Sequence, residues 1–240
     1  MTEVLNARLI PAALAGATGR AAMSEREATG DLHWHEAGGL IAREGQPASE
    51  YRVLTFGWAA RTRTLVDGRR QIFRILIPGD LCVGPAPDLA MSDTTALTRA
   101  RTQSTAPAAR EGAAGPYALE ARIRRALTEE QAGLLTQVLR LGRMLAFERT
   151  GHLLLELMER QRRAGLTTGE TMPLPLTQEV LADALGLSIV HLNRTLQQMR
   201  RQGLIVYRSG RATFPDPQAL AEACGYEPAA PVARPVARQA

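Results

Sequence analysis

Between residues 173 and 205 the hydrophobic positions recur at helical spacing, break at a glycine and then resume. The pattern predicts a first helix over about 177–185, with the Thr177 hydroxyl accepting a hydrogen bond from the first turn as its N-cap. Gly186 supplies the left-handed residue that ends this helix. The side chains expected to fill the interior are Val180, Leu181, Ala184, Leu185 and, between the two helices, Leu187.

A second helix is predicted from its N-cap, Ser188, to about Gln202. On a wheel of about 100° per residue, its apolar stripe consists of Ile189, Leu192, Leu196 and Met199. The opposite face centres on Val190, Arg194, Gln197 and Arg201, flanked by His191, Asn193 and Gln198. This face lacks acidic residues and carries guanidinium and amide donors, which suit the major groove of DNA. A merely solvated helix face is the alternative, and the complete helix-turn-helix pattern favours DNA binding.

Two short alternating segments, 205–208 and 211–214, follow at once and flank the two-residue turn Ser209-Gly210. A hairpin directly after a recognition helix is typical of a winged helix. Arg208 and Arg211 are expected to meet phosphates there. The sequence therefore predicts a winged-helix domain over residues 148–226.

From Gly38 to about Thr105 the pattern changes to short β segments punctuated by glycine. Segments 61–66 and 69–77 flank Asp67-Gly68, a strong hairpin signal. Residues 96–104 are interpreted as one further strand. Regularly spaced short strands predict a small antiparallel barrel or roll, which we assign to a domain over residues 1–115.

A Pro/Gly/Ala-rich joint then leads into a long helix predicted from about Tyr117 to Met144, within a segment 116–147. Its a and d heptad positions are Leu127, Gln131, Leu134, Val138, Leu141 and Leu145, of which only Gln131 is polar. A heptad kept over this length favours a seam between two chains, whereas a helix packed on its own roll is the alternative. After a break near 146–148, a helix over 149–163 is expected to pack into the winged helix.

The composition of the chain indicates how many domains it forms and where in the cell it acts. The chain has 240 residues, 45% of them hydrophobic, which suits two small domains with proper cores. It contains no run long enough to span a membrane and no recognisable signal peptide, so we expect a cytoplasmic protein.

The formal net charge is +5 and every basic residue is arginine, which reflects either phosphate recognition or a GC-rich genome. Residues 227–240 are rich in Ala, Pro and Arg and are expected to be disordered.

The candidate metal and catalytic residues are few. Cys82 and Cys224 are far apart and predict neither a disulfide framework nor a metal site. His33 and His35 would point the same way on a strand, but two histidines without a third ligand fall short of a site. None of the four histidines is paired with a nucleophile in a recognisable motif, so we do not expect an enzyme.

The order of roll, long helix and winged helix resembles the Crp/Fnr family of bacterial transcription regulators over nearly the whole chain. The segments that carry the resemblance are DGRRQIFRILIPGDL in the roll, LAFERTGHLLLEL at the hinge and LPLTQEVLADALGLSIVHLNRTLQQMRRQGLI in the winged helix. The resemblance implies an α+β fold with a cyclic-nucleotide-binding-like roll. It also implies that Arg194 occupies the family's guanine-reading position, while position 190, often Glu in relatives, is Val. The residues expected to contact DNA are Thr177, Gln178, Ser188, Ile189, Val190, His191, Asn193, Arg194, Gln198, Arg208 and Arg211.

The residues at the places where the best-known family members bind an effector are different in this chain. Cyclic-nucleotide binders of the family use a Gly-Glu pair and an Arg-Ser pair, and the corresponding places here are Gly84-Pro85 and Thr94-Thr95. A cyclic phosphate would lose its charge partner there. The oxygen-sensing branch needs four cysteines for an iron–sulfur cluster, and this chain has two. We therefore expect no cofactor. The alternative is a roll that binds an unidentified small ligand, or a haem through His33, His35 or Cys82.

The function that these patterns predict is a homodimeric, sequence-specific transcription regulator. Its expected partners are double-stranded DNA, as a palindromic operator, and a second copy of the chain. RNA polymerase is a further candidate partner.

Overall fold

A computed structural model describes residues 31–47, 50–83, 89–104 and 115–228. The expectations for residues 1–30, for Gly84-Pro85 and for the tail from residue 229 lie outside these residues. Eight strands come first: β1 (Leu32–His35), β2 (Leu40–Ala42), β3 (Arg52–Phe56), β4 (Ala59–Thr64), β5 (Arg70–Leu76), β6 (Leu81–Val83), β7 (Asp93–Ala96) and β8 (Ala100–Ser104). The second half consists of α1 (Gly115–Arg143), α2 (Ala146–Arg163), β9 (Thr171–Pro173), α3 (Gln178–Leu185), α4 (Ile189–Arg201), β10 (Val206–Arg208), β11 (Arg211–Thr213) and α5 (Pro217–Cys224).

The predicted antiparallel roll is confirmed. Its strands form two four-stranded sheets, in the orders β1-β8-β3-β6 and β2-β7-β4-β5. Neighbouring strands run antiparallel throughout the pairs described. Small and medium apolar side chains fill the space inside: Leu54, Ala59, Leu76, Cys82, Ala96 and Ala100.

The prediction of one strand over residues 96–104 is wrong. The chain turns at residues 97–99, so that β7 and β8 belong to different sheets. Trp58 holds this corner, because its carbonyl accepts from the amides of Leu97 at 2.8 Å and Thr98 at 3.3 Å. The Trp58 amide in turn donates to the Thr98 hydroxyl at 3.0 Å.

The hairpin at Asp67-Gly68 is confirmed, but its strands end earlier than the sequence suggests. A five-residue connection over 65–69 replaces the expected two-residue turn. Within it the Leu65 amide donates to the Arg69 carbonyl and the Gly68 amide to the Leu65 carbonyl. Gly68, with φ at 86°, provides the left-handed residue that this connection needs.

The long helix and the helix after it are confirmed, with a corrected boundary. The helical path is interrupted at Met144 and Leu145 and resumes at Ala146, three residues before the predicted start. The reason is a capping interaction, in which the Leu145 amide donates to the Glu148 carboxylate at 2.8 Å. Leu145, assigned from the sequence to the heptad, therefore lies beyond the end of α1.

Candidate DNA-binding surface and its anchoring

The turn between α3 and α4 forms as the sequence predicts. The Thr177 hydroxyl accepts from the Val180 amide at 3.2 Å and so caps α3. Gly186 ends the helix with φ at 61°. The five buried residues of α3 are Val180, Leu181, Ala182, Ala184 and Leu185.

The predicted limits of α4 are also confirmed, with one correction to its buried stripe. The Ser188 hydroxyl accepts from the His191 amide at 3.2 Å, and the helix ends at Arg201. Its buried residues are Leu192, Thr195, Leu196 and Met199. Ile189, expected in the stripe, is 47% exposed. It lies about 70° from the centre of the buried face at 100° per residue, and Thr195 occupies that face instead.

The outward surface of α4 is free of acidic side chains. Val190, His191, Arg194, Gln197, Gln198 and Arg201 are exposed there, with Asn193 half-buried beside them. At the start of α3, Thr177 is exposed and Gln178 half-buried. Across the described part of the chain, no ion pair engages Arg194 or Arg201. Their guanidinium groups are consequently available to an external anion.

The wing is a three-stranded sheet in the order β10-β11-β9. Ser209 and Gly210 both have positive φ, at 50° and 68°, which is the geometry of a type I′ hairpin turn. Arg208 and Arg211 face each other across this turn and are both exposed. The Tyr207 hydroxyl fixes the wing to the segment before α3, because it lies 2.9 Å from the Leu176 carbonyl. The third strand, β9, was not predicted.

The carboxyl end of α3 is anchored by three other elements. Its last three carbonyls, at residues 183–185, each accept a hydrogen bond from a different part of the chain. The donors are Gln71 in β5, Gln137 in α1 and Arg149 in α2, at 3.0, 2.6 and 2.9 Å. The Asp183 carboxylate also pairs with Arg70 at 2.7 Å. These contacts fix the orientation of the helix-turn-helix relative to both the roll and the long helix.

A network of charged side chains, which we call the joint cluster, lies where β5, α1 and α2 meet. Its members are Arg74, Asp80, Arg140, His152, Glu156 and Arg160. The Arg140 side chain is 2% exposed and donates to the Glu156 carboxylate. Its Nη2 lies 3.1 Å from Nδ1 of His152. Because a guanidinium only donates, this ring nitrogen accepts, and His152 is neutral with its proton on Nε2.

Glu156 faces three guanidinium groups of the joint cluster. Besides Arg140, the Nη1 atoms of Arg160 and Arg74 lie 3.5 Å and 3.8 Å from its carboxylate. Burial opposes ionisation of Glu156, but the three arginines together hold the pKa of its carboxyl below the usual value. Arg74 can approach α1 because Gly133 stands opposite it: a Cβ at that position would overlap Nη1 of Arg74.

We expect His152 to make the stability of the protein depend on pH. Burial and the adjacent Arg140 hold the pKa of His152 below the usual value of a histidine. The unfolded chain therefore binds the proton more readily, so stability is fully present above about pH 6.5 and falls as the pH drops below it. His152→Asn keeps an acceptor near the Nδ1 position and removes the titration. In urea unfolding between about pH 7 and pH 5, this variant should lose less stability than the wild type.

Part of the pH dependence should remain in that variant, because burial, with His33 and Arg52, also lowers the pKa of His35. His191→Asn is the matched control, since that imidazole lies exposed on α4. An unchanged pH dependence in His152→Asn would contradict the assignment.

Most heptad positions of α1 that the sequence assigns to a seam between two chains are exposed to solvent in the single chain. Leu127, Gln131, Leu134 and Val138 are exposed, with Val138 at 69%. Leu135, at the flanking e position, is exposed as well and widens the apolar strip, whereas the exposed Leu139 falls at the b position, further from the seam. Leu141 is half-buried, and its Cδ2 would lie 3.3 Å from a Cβ at Gly186. It therefore packs against the turn of its own helix-turn-helix.

The histidines of the roll, and the cysteines of the roll and of α5, are engaged in ordinary contacts. Nε2 of His35 lies 3.0 Å from the Thr102 hydroxyl, and Nε2 of His33 lies 3.3 Å from Arg52. Cys82 and Cys224 are buried, and burial raises the thiol pKa of Cys224 to about 11. In the portion of the chain that the structure covers, no three His, Cys, Asp or Glu side chains are grouped to hold a metal ion. None of the helices described there is both long and apolar enough to cross a membrane.

The roll, the long helix and a winged helix whose Arg194 and Arg201 have no ion-pair partner among the described residues together define a DNA-binding protein of the winged-helix class. The profile of the Crp-like helix-turn-helix domain matches residues 148–223. The chain belongs to the Crp/Fnr family of transcription regulators.

Similar proteins with known roles are bacterial regulators. The nitrogen fixation regulation protein FixK of Bradyrhizobium diazoefficiens is 30% identical over 198 residues, which cover 80% of this chain and 82% of FixK. The transcriptional activatory protein AadR of Rhodopseudomonas palustris is 32% identical over 166 residues, 68% of each protein. The solved structure of FixK2 from Bradyrhizobium japonicum has a TM-score of 0.70 at 24% identity, over 81% of this chain and 96% of FixK2. These relatives are transcription regulators and not enzymes.

Proposed function

We propose that the chain acts as a homodimer that binds a two-fold-symmetric operator through α4 and the wing of each protomer. The observation that carries the proposal is the acid-free outward surface of α4, whose Arg194 and Arg201 lack partners among the described residues. Ser188, Ile189, Val190, His191, Asn193, Arg194 and Gln198 approach the bases or the adjoining phosphates in this proposal. Thr177, Gln178, Arg208 and Arg211 contact the backbone. Such a regulator acts in the cytoplasm on bacterial DNA, with RNA polymerase as its further partner.

Dimerisation in this proposal uses the exposed apolar strip of α1. Leu127, Gln131, Leu134 and Val138 recur at coiled-coil spacing along one side of the helix. On another side, Gln137 donates to the Ile72 carbonyl of the roll and Arg140 donates to Glu156 of α2. Two-fold pairing along this strip buries apolar surface that a monomer leaves in water. Two recognition helices need a separation of about one helical turn of DNA, roughly 34 Å, and in this proposal the pairing of α1 sets that separation. Leu145 lies at the end of the strip. Leu141 is half-buried, so only its exposed part contributes to the proposed interface.

Regulation in this proposal requires neither cyclic AMP nor a 4Fe-4S cluster. The Thr94 hydroxyl is fully buried and donates to the Cys82 carbonyl at 3.2 Å, so it is committed to the sheet. The two cysteines are too few for four-thiolate ligation. Among the described residues, no contact of His33, His35 or Cys82 favours the haem alternative.

Arg194→Ala and Arg211→Ala should have different effects on the affinity and the sequence preference of DNA binding. Arg194 lies on the outward surface of α4, so its loss should cost about 1–3 kcal/mol of binding and relax the preference at one base pair per half-site. Arg211 lies in the wing, so its loss should weaken binding to all sequences alike. It should also reduce the salt slope by about one unit per contact. Titrations of operator variants at several salt concentrations measure both effects.

Gln218→Ala on α5 serves as the control for both variants, because this exposed side chain lies outside the proposed DNA surface. If Arg194→Ala weakened every sequence equally, Arg194 would be an electrostatic anchor and the base reader would lie elsewhere on α4. Micromolar binding of cyclic AMP in calorimetry would separately refute the effector-independent part of the proposal.

A further inference from the structure

Two exposed β-branched side chains stand at the beginning of α4, on a helix whose other apolar residues are buried. Val190 is 62% exposed and Ile189 is 47% exposed. At 100° per residue, Val190 lies about 170° from the centre of the buried face formed by Leu192, Thr195, Leu196 and Met199. It therefore occupies the outermost line of the helix, whereas Ile189 lies on its flank. Most of the Val190 side chain therefore stays in water, and its burial contributes little to folding.

The same outermost line carries Arg194 and Gln197, one and two turns further along the helix. Both have hydrogen-bond donors that match base edges, but the Val190 side chain has neither a donor nor an acceptor. It cannot accept from the amino group of cytosine, and it cannot donate to guanine. The one base-edge group in the major groove that an apolar side chain matches is the C5-methyl group of thymine.

We propose that Val190 is a specificity-determining residue that reads the C5-methyl group of a pyrimidine, thymine or 5-methylcytosine, in each half-site. This inference rests on the proposed function, because it requires α4 to enter the major groove. The first turn of a recognition helix is the part that contacts base edges, and Val190 is the second residue of α4. Arg194 follows about 6 Å further along the axis, so the two residues read base pairs about two steps apart.

The test removes or adds the methyl group alone. After an operator has been selected with the full-length protein, each thymine of a half-site is replaced in turn by deoxyuridine, which lacks only the C5-methyl. At one position, the wild type should lose about three- to tenfold in affinity, as expected for one buried methyl contact. Val190→Ala should bind the two duplexes equally there. At the same position, 5-methylcytosine paired with guanine should bind the wild type more tightly than cytosine paired with guanine.

Ile189→Ala is the matched control, because it shortens the neighbouring exposed β-branched side chain and should keep the deoxyuridine effect. Val190→Glu should move the preference at that base pair from thymine to cytosine, since a carboxylate accepts from the cytosine amino group. Indifference of the wild type to deoxyuridine at every thymine would overturn the inference, as would a penalty that persists in Val190→Ala. If Arg194 still sets a base preference in those cases, the proposed function stands without it. If no sequence is selected at all, the proposed function itself fails.

Discussion

Leu134→Glu/Val138→Glu should convert the protein into a folded monomer and weaken operator binding by about 10²–10⁴-fold. Both side chains are exposed in the single chain, so their replacement removes no intrachain core. In a two-chain seam, by contrast, the change places four carboxylates against one another in an apolar contact. A monomer then binds one half-site at a time and loses the effective concentration that linkage provides. Sedimentation at several protein concentrations, with titration of the operator, measures both effects.

The matched control carries the same charges on another side of the helix. Ala132 and Leu139 are both exposed and fall at the b position of the heptad, away from the seam. Ala132→Glu/Leu139→Glu should therefore remain dimeric and bind the operator as the wild type does. A dimeric Leu134→Glu/Val138→Glu variant would place the interface elsewhere. Leu141 is unsuitable for this test because it packs near Gly186, so its loss also disturbs the helix-turn-helix.

Glu156→Gln should destabilise the folded protein by about 3–5 kcal/mol, the usual cost of breaking a buried ion pair by removing one partner. Arg140 would lose the carboxylate to which it donates, with its side chain only 2% exposed. Arg160 would keep Asp80, and Arg74 would lose the carboxylate 3.8 Å away. The isosteric amide leaves no cavity, so the effect isolates the charge. Urea unfolding at neutral pH gives the difference in free energy.

Glu159→Gln is the control on the same helix. Its carboxylate lies 3.7 Å from Arg163, and the side chains of Arg163 and Glu159 are 48% and 33% exposed. Removing a pair that is exposed to this extent should change stability by about 0–1 kcal/mol. Equal effects of the two substitutions would show that the joint cluster is well hydrated, contrary to the burial described above.

The parts of the fold that sequence predicted well depend on local chemistry. Thr177 and Ser188 cap α3 and α4 because a hydroxyl at those places accepts from an amide three residues on. Gly186 and the Ser209-Gly210 turn need positive φ, which few residues tolerate. The start of α5 is also readable from local sequence, because Asp216 before Pro217 is a strong helix-start signal. The helix begins there, and the Asp216 carboxylate accepts a hydrogen bond from the Ala219 amide.

The parts that sequence missed depend on distant residues meeting in space. The joint cluster draws on positions 74, 80, 140, 152, 156 and 160, and no spacing along the chain relates the first two to the rest. The anchoring of α3 by Gln71, Gln137 and Arg149 has the same origin. Ile189 lies at the flank of the buried face, about 70° from its centre, and spacing alone does not show that Thr195 lies on that face instead.

The candidate DNA surface was predicted in outline, since an acid-free helix face can be read from spacing alone. Which of its side chains are unpaired could not be predicted, because arginines elsewhere in this chain are largely engaged in ion pairs. Arg70, for example, pairs with Asp183, 113 residues away.

Selection of bound duplexes from a random library by the full-length protein tests the central claim most directly. The account predicts an inverted repeat whose half-site centres are about 10 base pairs apart, or a multiple of one turn. Sedimentation of the complex should then show two chains on each duplex. Enrichment of a single unrepeated site, or of no sequence at all, would contradict it.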